Sequence, residues 1–134
     1  MNLKILKDFY RNKRVLVTGH TGFKGAWLCL ILNYLGANVT GYSLKLKKND
    51  NFIFFKSLNL KKKIKSYYGN TVDKNKLSLI IKKSNPELLF HLAAQSLVIE
   101  SFKDPKMTFE SNVIVTRSSS FAPAVLYVLF DKNV

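Results

Sequence analysis

An α/β fold with a doubly wound parallel sheet, incomplete at about four to five strands, is what this sequence predicts. Short β-branched and apolar runs alternate with segments of helical periodicity. The connections are short, so successive strands run parallel and helices cross over on both faces. One strand ends in a glycine-rich turn that opens a helix, "VLVTGHTGFKGAWL", residues 15–28.

Each element follows from its local pattern. Residues 1–13 form an amphipathic lead-in, with Leu3, Leu6, Phe9 and Tyr10 on one helical face. "RVLVTG" reads as a buried strand. A helix runs from Phe23 to Leu35 and stops at Gly36. Its Trp27, Leu28, Leu30, Ile31 and Leu35 are expected in the core, and Cys29 is expected to be a small buried side chain. Asn38–Leu44 is a second strand. A lysine-rich connection follows, with an apolar knot at Phe52–Phe55 that suits a short helix. Ile64–Asn70 is a third strand. Asp73 caps a helix over "KNKLSLIIKK", with Leu77, Ile80 and Ile81 inward. After Pro86, Glu87–Ala94 is a fourth strand. Asp104 and Pro105 open a helix reaching Thr116.

Composition bounds the function. The 47% hydrophobic content is that of a globular chain, and one cysteine excludes a disulfide within the monomer. The start carries scattered charges with no apolar signal core, and no apolar run approaches a membrane span, so a cytoplasmic protein is expected. The net charge is +14, and lysine supplies most of it. The runs at Lys45–Lys48 and Lys61–Lys65 lack interleaved arginines, which reads as a solvated surface more than as a nucleic-acid site. Two histidines and one cysteine have no metal-ligand spacing. His91 begins a small-residue turn and reads as a core histidine. His20 lies inside the glycine turn, where contact with a phosphate and shaping of the turn are equally open.

A strand, a glycine turn and a helix together bind phosphate. The helix start exposes N–H groups with no intrahelical partner and the positive end of the helix dipole. Gly19, Gly22 and Gly25 permit close approach of backbone to ligand and of helix to strand. The N–H groups of Phe23 and Lys24 and the hydroxyl of Thr21 are the candidate donors. At the end of the second strand, Ser43 can bond a ribose hydroxyl, whereas Lys45 or Lys47 suits a 2′-phosphate. The residues alone leave NAD and NADP both open.

The spacing "TGHTGFKG", with "VTGYSL" and "HLAAQSLVIESFKDPKMTFESNV", resembles the extended short-chain dehydrogenase/reductase family of nucleotide-sugar epimerases and dehydratases. The likeness runs over about residues 8 to 116 and leans to the branch that dehydrates CDP-glucose. It implies a Rossmann-type domain over 1–116 holding NAD. In the family NAD takes a hydride from the sugar C4, water leaves across C5 and C6, and the hydride returns to C6. Carried over, Gly19, Gly22, Gly25, Phe23 and Lys24 form the pyrophosphate cradle. Leu92, Ala93, Ala94 and Gln95 line the cofactor, and Asn112 lies near its nicotinamide half. Asn70 stands where the family has an adenine-binding aspartate. The implied partner is a nucleotide sugar, CDP-glucose, with a homo-oligomer open.

The family's chemistry also needs a tyrosine with a lysine four residues on, which lowers the tyrosine pKa. Tyr10, Tyr34, Tyr42, Tyr67, Tyr68 and Tyr127 are followed at that spacing by Arg14, Asn38, Leu46, Thr71, Val72 and Asp131. No catalytic residue is therefore assigned. The tail 117–134 changes composition abruptly, with one lysine against 18 before it. The expectation is a frameshift or truncation near Thr116. The acid–lysine pair in its "VLYVLFDKNV" is read as coincidence. Three functions follow: the N-terminal part of a dehydratase, inactive alone; part of another NAD-dependent epimerase or reductase; or a noncatalytic nucleotide-binding module.

Overall fold

The computed structural model describes residues 2–46, 50–93 and the backbone of 125–126. Helix α1 (Leu3–Tyr10) leads into the central strand β1 (Arg14–Thr18), followed by α2 (Phe23–Tyr34) and β2 (Asn38–Ser43). Next come α3 (Asp50–Ser57), α4 (Leu60–Lys63), β3 (Lys65–Tyr68), α5 (Lys74–Ser84), β4 (Leu88–His91) and β5 (Val125–Leu126). The strands form one parallel sheet in the order β3-β2-β1-β4-β5. The chain winds outward from β1 to β3, then returns to add β4 on β1's other side. That reversal makes the gap between β1 and β4 a topological switch point.

Strand alternation sends the apolar residues to two cores. Val15 and Val17 of β1, Val39 of β2 and Phe90 of β4 face one side. There they pack against Ala26, Cys29 and Leu32 of α2, Phe55 of α3 and Leu60 of α4. Leu16, Tyr42 and Leu89 face the other side and meet Leu77, Ile80 and Ile81 of α5. The expected inward face of α5 is thus the observed one. Asp73 caps that helix, accepting the Lys76 N–H at 3.1 Å, and Asn85 ends it in the left-handed region at φ 41°. At the base of the sheet the Glu87 carboxylate accepts the Arg14 N–H and the Lys13 ammonium, each at 3.0 Å. The backbone bond from Arg14, together with Lys13, holds that carboxyl below its ordinary pKa.

The structure corrects the reading of α2. Trp27 and Ile31, expected inside, are 43% and 50% exposed, while Leu28 and Leu30 are half-buried and Leu35 is buried. The helix is apolar all round, so periodicity did not mark its inner face. Packing does: α2 lies too close to the sheet for bulk, and the inward positions fall to Gly25, Ala26, Cys29 and Leu32. Burial pushes the Cys29 thiol up to about 12, so it is inert, as its setting implied.

Val125–Leu126 of the tail pair with Leu89 and Phe90 as a fifth strand, within the four to five that the sequence predicts. Apolar, β-branched chain is what the otherwise open edge of β4 accepts. The predicted helix over 104–116 and the rest of the tail lie outside the described residues. Among the described residues no helix is long and apolar enough to cross a membrane.

Leu16 is fully buried on the central strand. Leu16→Ala should cost about 3 kcal/mol, read as a lower urea midpoint at unchanged slope.

Candidate functional site

The site is built where β1 gives way to α2, above the switch point. Gly19 has φ +73°, a conformation that favours glycine. A Cβ there would meet the Leu92 carbonyl and the Ala93 nitrogen at 2.7 and 2.8 Å. The chain leaving β4 therefore rests directly on the loop, tied by the Leu92 N–H to the Thr18 carbonyl at 3.1 Å. A Cβ on Gly25 would overlap the Gly19 carbonyl oxygen, so this glycine lets α2 sit against the loop.

Gly22 is different. Among the described residues a Cβ there would meet only the Gly19 oxygen, at the ordinary distance of 3.4 Å. Internal packing does not require a glycine at this position, so its bare backbone leaves open the approach to the helix. Gly22 is the N-cap of α2, and among the described residues no side chain caps the helix. The backbone N–H groups of the first turn lie before the helix's own hydrogen-bond ladder, which begins with the Ala26 N–H on the Gly22 carbonyl at 2.8 Å. A dinucleotide's pyrophosphate fits such a cradle: backbone donors at the positive end of a helix 12 residues long.

His20 does not reach the cradle. Its ring is buried under β2 and β3, in the space that a side chain at Gly41 would fill. Its Nε2 lies 3.1 Å from the Ser66 hydroxyl, and Phe55 and Tyr68 pack on it at centroid distances of 5.6 and 5.9 Å. Of the two roles left open by the sequence, the structure gives it the shaping one. Thr21 and Ser43 are both buried, and their hydroxyls bond each other at 2.8 Å. The Ser43 hydroxyl also lies 3.1 Å from the Leu44 carbonyl, and each hydroxyl keeps a lone pair with which to accept from a ligand. The Asn70 side-chain oxygen accepts the Val72 N–H at 3.0 Å and shapes the turn after β3. Its carbonyl accepts the Tyr42 hydroxyl at 3.1 Å. Lys45 is exposed just beyond β2. Leu92 and Ala93 are half-buried beside the loop. Ala94, Gln95, Asn112 and Lys47 lie outside the described residues.

His91 ends β4 and is buried, as expected of a core histidine. Its Nδ1 shares a 2.6 Å hydrogen bond with the Thr18 hydroxyl, the last residue of β1. This bond joins the two strands directly beneath the loop, a contact that the sequence did not reveal. Only the pairing register of β1 with β4 brings Thr18 and His91 opposite each other.

An open parallel α/β sheet with a glycine loop at its switch point defines a dinucleotide-binding protein. Comparison with known proteins makes this narrower. The model of the family described as GDP-mannose 4,6 dehydratase matches residues 16–118, and the chain belongs to that family. It is 43% identical over 110 residues to CDP-glucose 4,6-dehydratase from Salmonella typhimurium, a match over 82% of this chain and 30% of the relative. It is 28% identical to UDP-glucose 4-epimerase from Thermus thermophilus, solved in complex with NAD, at TM-score 0.65. That match covers 78% of this chain and 32% of the epimerase. An epimerase from Methanothermobacter thermautotrophicus shares the fold at TM-score 0.72 and 23% identity, over 93% of this chain and 37% of the other. The chain thus spans 30% to 37% of the length of these relatives.

Two predictions follow from the loop. Gly22→Ala should leave stability within about 1 kcal/mol of the parent, whereas Gly25→Ala should lower the melting temperature clearly, because the added Cβ meets backbone. The second concerns pH. Burial pushes both His20 and His91 down to about 4 from 6.5. The folded chain holds these rings neutral while the unfolded chain protonates them near pH 6.5. Stability is therefore full above that value and is lost as pH falls toward 4, by up to about 3 kcal/mol for each histidine. Urea midpoints at pH 7.5, 6 and 5 should decline in that order. A flat profile over this range would contradict the two buried neutral rings.

Proposed function

We propose that this chain is the NAD-binding part of a nucleotide-sugar 4,6-dehydratase, with CDP-glucose as the substrate of the whole enzyme. The carrying observation is Gly22, a position left bare where the protein's own packing has room for a side chain. The 43% identity to a CDP-glucose 4,6-dehydratase supports the choice of substrate. The NAD-bound epimerase of the same architecture supports the cofactor.

In this reading the backbone of Gly22, Phe23 and Lys24 holds the pyrophosphate, with Gly19 and Gly25 setting the loop's shape. Thr21, Ser43 and Asn70 border the adenosine half, and Leu92, Ala93, Ala94, Gln95 and Asn112 border the rest. The Thr18–His91 bond keeps the end of β4 against the loop, so that the cradle is formed before a ligand arrives. NAD, when bound, supplies the acceptor for the sugar's C4 hydride. None of the six tyrosines has a lysine four residues on. The 134 residues therefore do not turn substrate over. That same absence supports a second reading, a noncatalytic nucleotide-binding module. The similarity to UDP-glucose 4-epimerases supports a third, part of an epimerase.

Fluorescence titration with NAD tests the site. Saturable binding is expected, weakened about tenfold or more by Gly22→Val. Tight binding that survives Gly22→Val would sink the loop's role. Incubation of the chain with CDP-glucose and NAD should yield no 4-keto-6-deoxy sugar, and detection of that product would overturn the claim of inactivity.

A further inference from the structure

A second concavity lies at the opposite end of the sheet from the glycine loop. It is a cleft of about 700 Å³ under the first residues of β1, β2 and β3, within the size range of small-molecule sites. Five cations line it: Arg14 of β1, Lys62 and Lys63 of α4, Lys65 of β3 and Lys83 of α5. Among the described residues no acidic side chain lines it. Arg14 is partly committed, to Glu87 at 3.6 Å and to the Asn85 carbonyl at 2.6 Å. Among the described residues none of the four lysines pairs with a carboxylate.

The ordinary explanation covers part of this cluster. Lys62, Lys63 and Lys83 sit in the last turns of helices, where a cation offsets the carbonyl end of the dipole. Lys65 has no such role, since it opens a strand. Like charges drawn from four separate elements into one concavity repel each other, and the fold bears that cost. A bound polyanion relieves it. Tyr67 forms an aromatic wall, with the Lys83 ammonium 5.0 Å above its ring.

We propose that this cleft binds a small polyanion bearing two or more phosphate groups, independently of the dinucleotide site. The two sites are separated by the length of β1, about 15 Å, so they can be occupied together.

Calorimetric titration of the full chain with inorganic tripolyphosphate tests the proposal. One saturable site is expected, undiminished by saturating NAD. The exposed pair Lys63→Gln and Lys65→Gln should weaken it about tenfold or more. A control pair distant from the cleft, Lys4→Gln and Lys74→Gln, should leave it within about twofold. Circular dichroism checks that both variants fold. ATP in place of tripolyphosphate distinguishes the source: equal affinity means that phosphates alone are read, and tighter binding means that a base joins them at Tyr67. Equal weakening by the control pair would overturn the proposal, because charge would then act only as a diffuse field. So would displacement by NAD. Binding of a mixed-sequence DNA duplex with none of tripolyphosphate would replace it with a nucleic-acid surface. Loss of NAD binding in Gly22→Val with tripolyphosphate affinity intact would separate the fates of the two sites.

Discussion

The contact between Gly25 and the Gly19 carbonyl fixes the rest of the architecture. With no Cβ in the way, the first turn of α2 lies directly on the end of β1. The helix start is then held above the switch point, with its first-turn backbone at the mouth of the crevice. The same closeness decides the core. It gives the innermost positions to Gly25, Ala26, Cys29 and Leu32, with Leu28 and Leu30 packed at the core's margin, and it leaves Trp27 and Ile31 exposed. One short approach thus sets both the cradle and the apolar outer surface of α2.

Two buried histidines brace the loop from beneath. His20 fills the space that Gly41 leaves, under β2 and β3. His91 ties β4 to β1 through Thr18. Neither ring meets the ligand in this account, and both act through geometry. Because both are held neutral, the integrity of the loop is coupled to pH.

Much of this was legible in the sequence. Strand and helix order came from periodicity, and the glycine turn declared its place because its context was a strand before and a helix after. What was not legible has physical causes. Periodicity cannot orient a helix that is apolar on every side, so Trp27 and Ile31 were misplaced. Helix α4 is a single turn of "LKKK", too short to carry a pattern. The engagement of Thr21 with Ser43, and of His20 with Ser66, joins residues 22 and 46 positions apart. Such pairings exist only once strand register is set. The lysines at 62, 63 and 65 read as a solvated run, and only the fold brings them to face Arg14 and Lys83 across a cleft.

The most direct test of the central claim is an amide nuclear magnetic resonance titration of the labelled chain with NAD. The account predicts that the largest shifts fall on Gly22, Phe23 and the first turn of α2, with smaller ones at Leu92 and Ala93. Shifts confined to the basic end of the sheet, with the glycine loop unmoved, would contradict it.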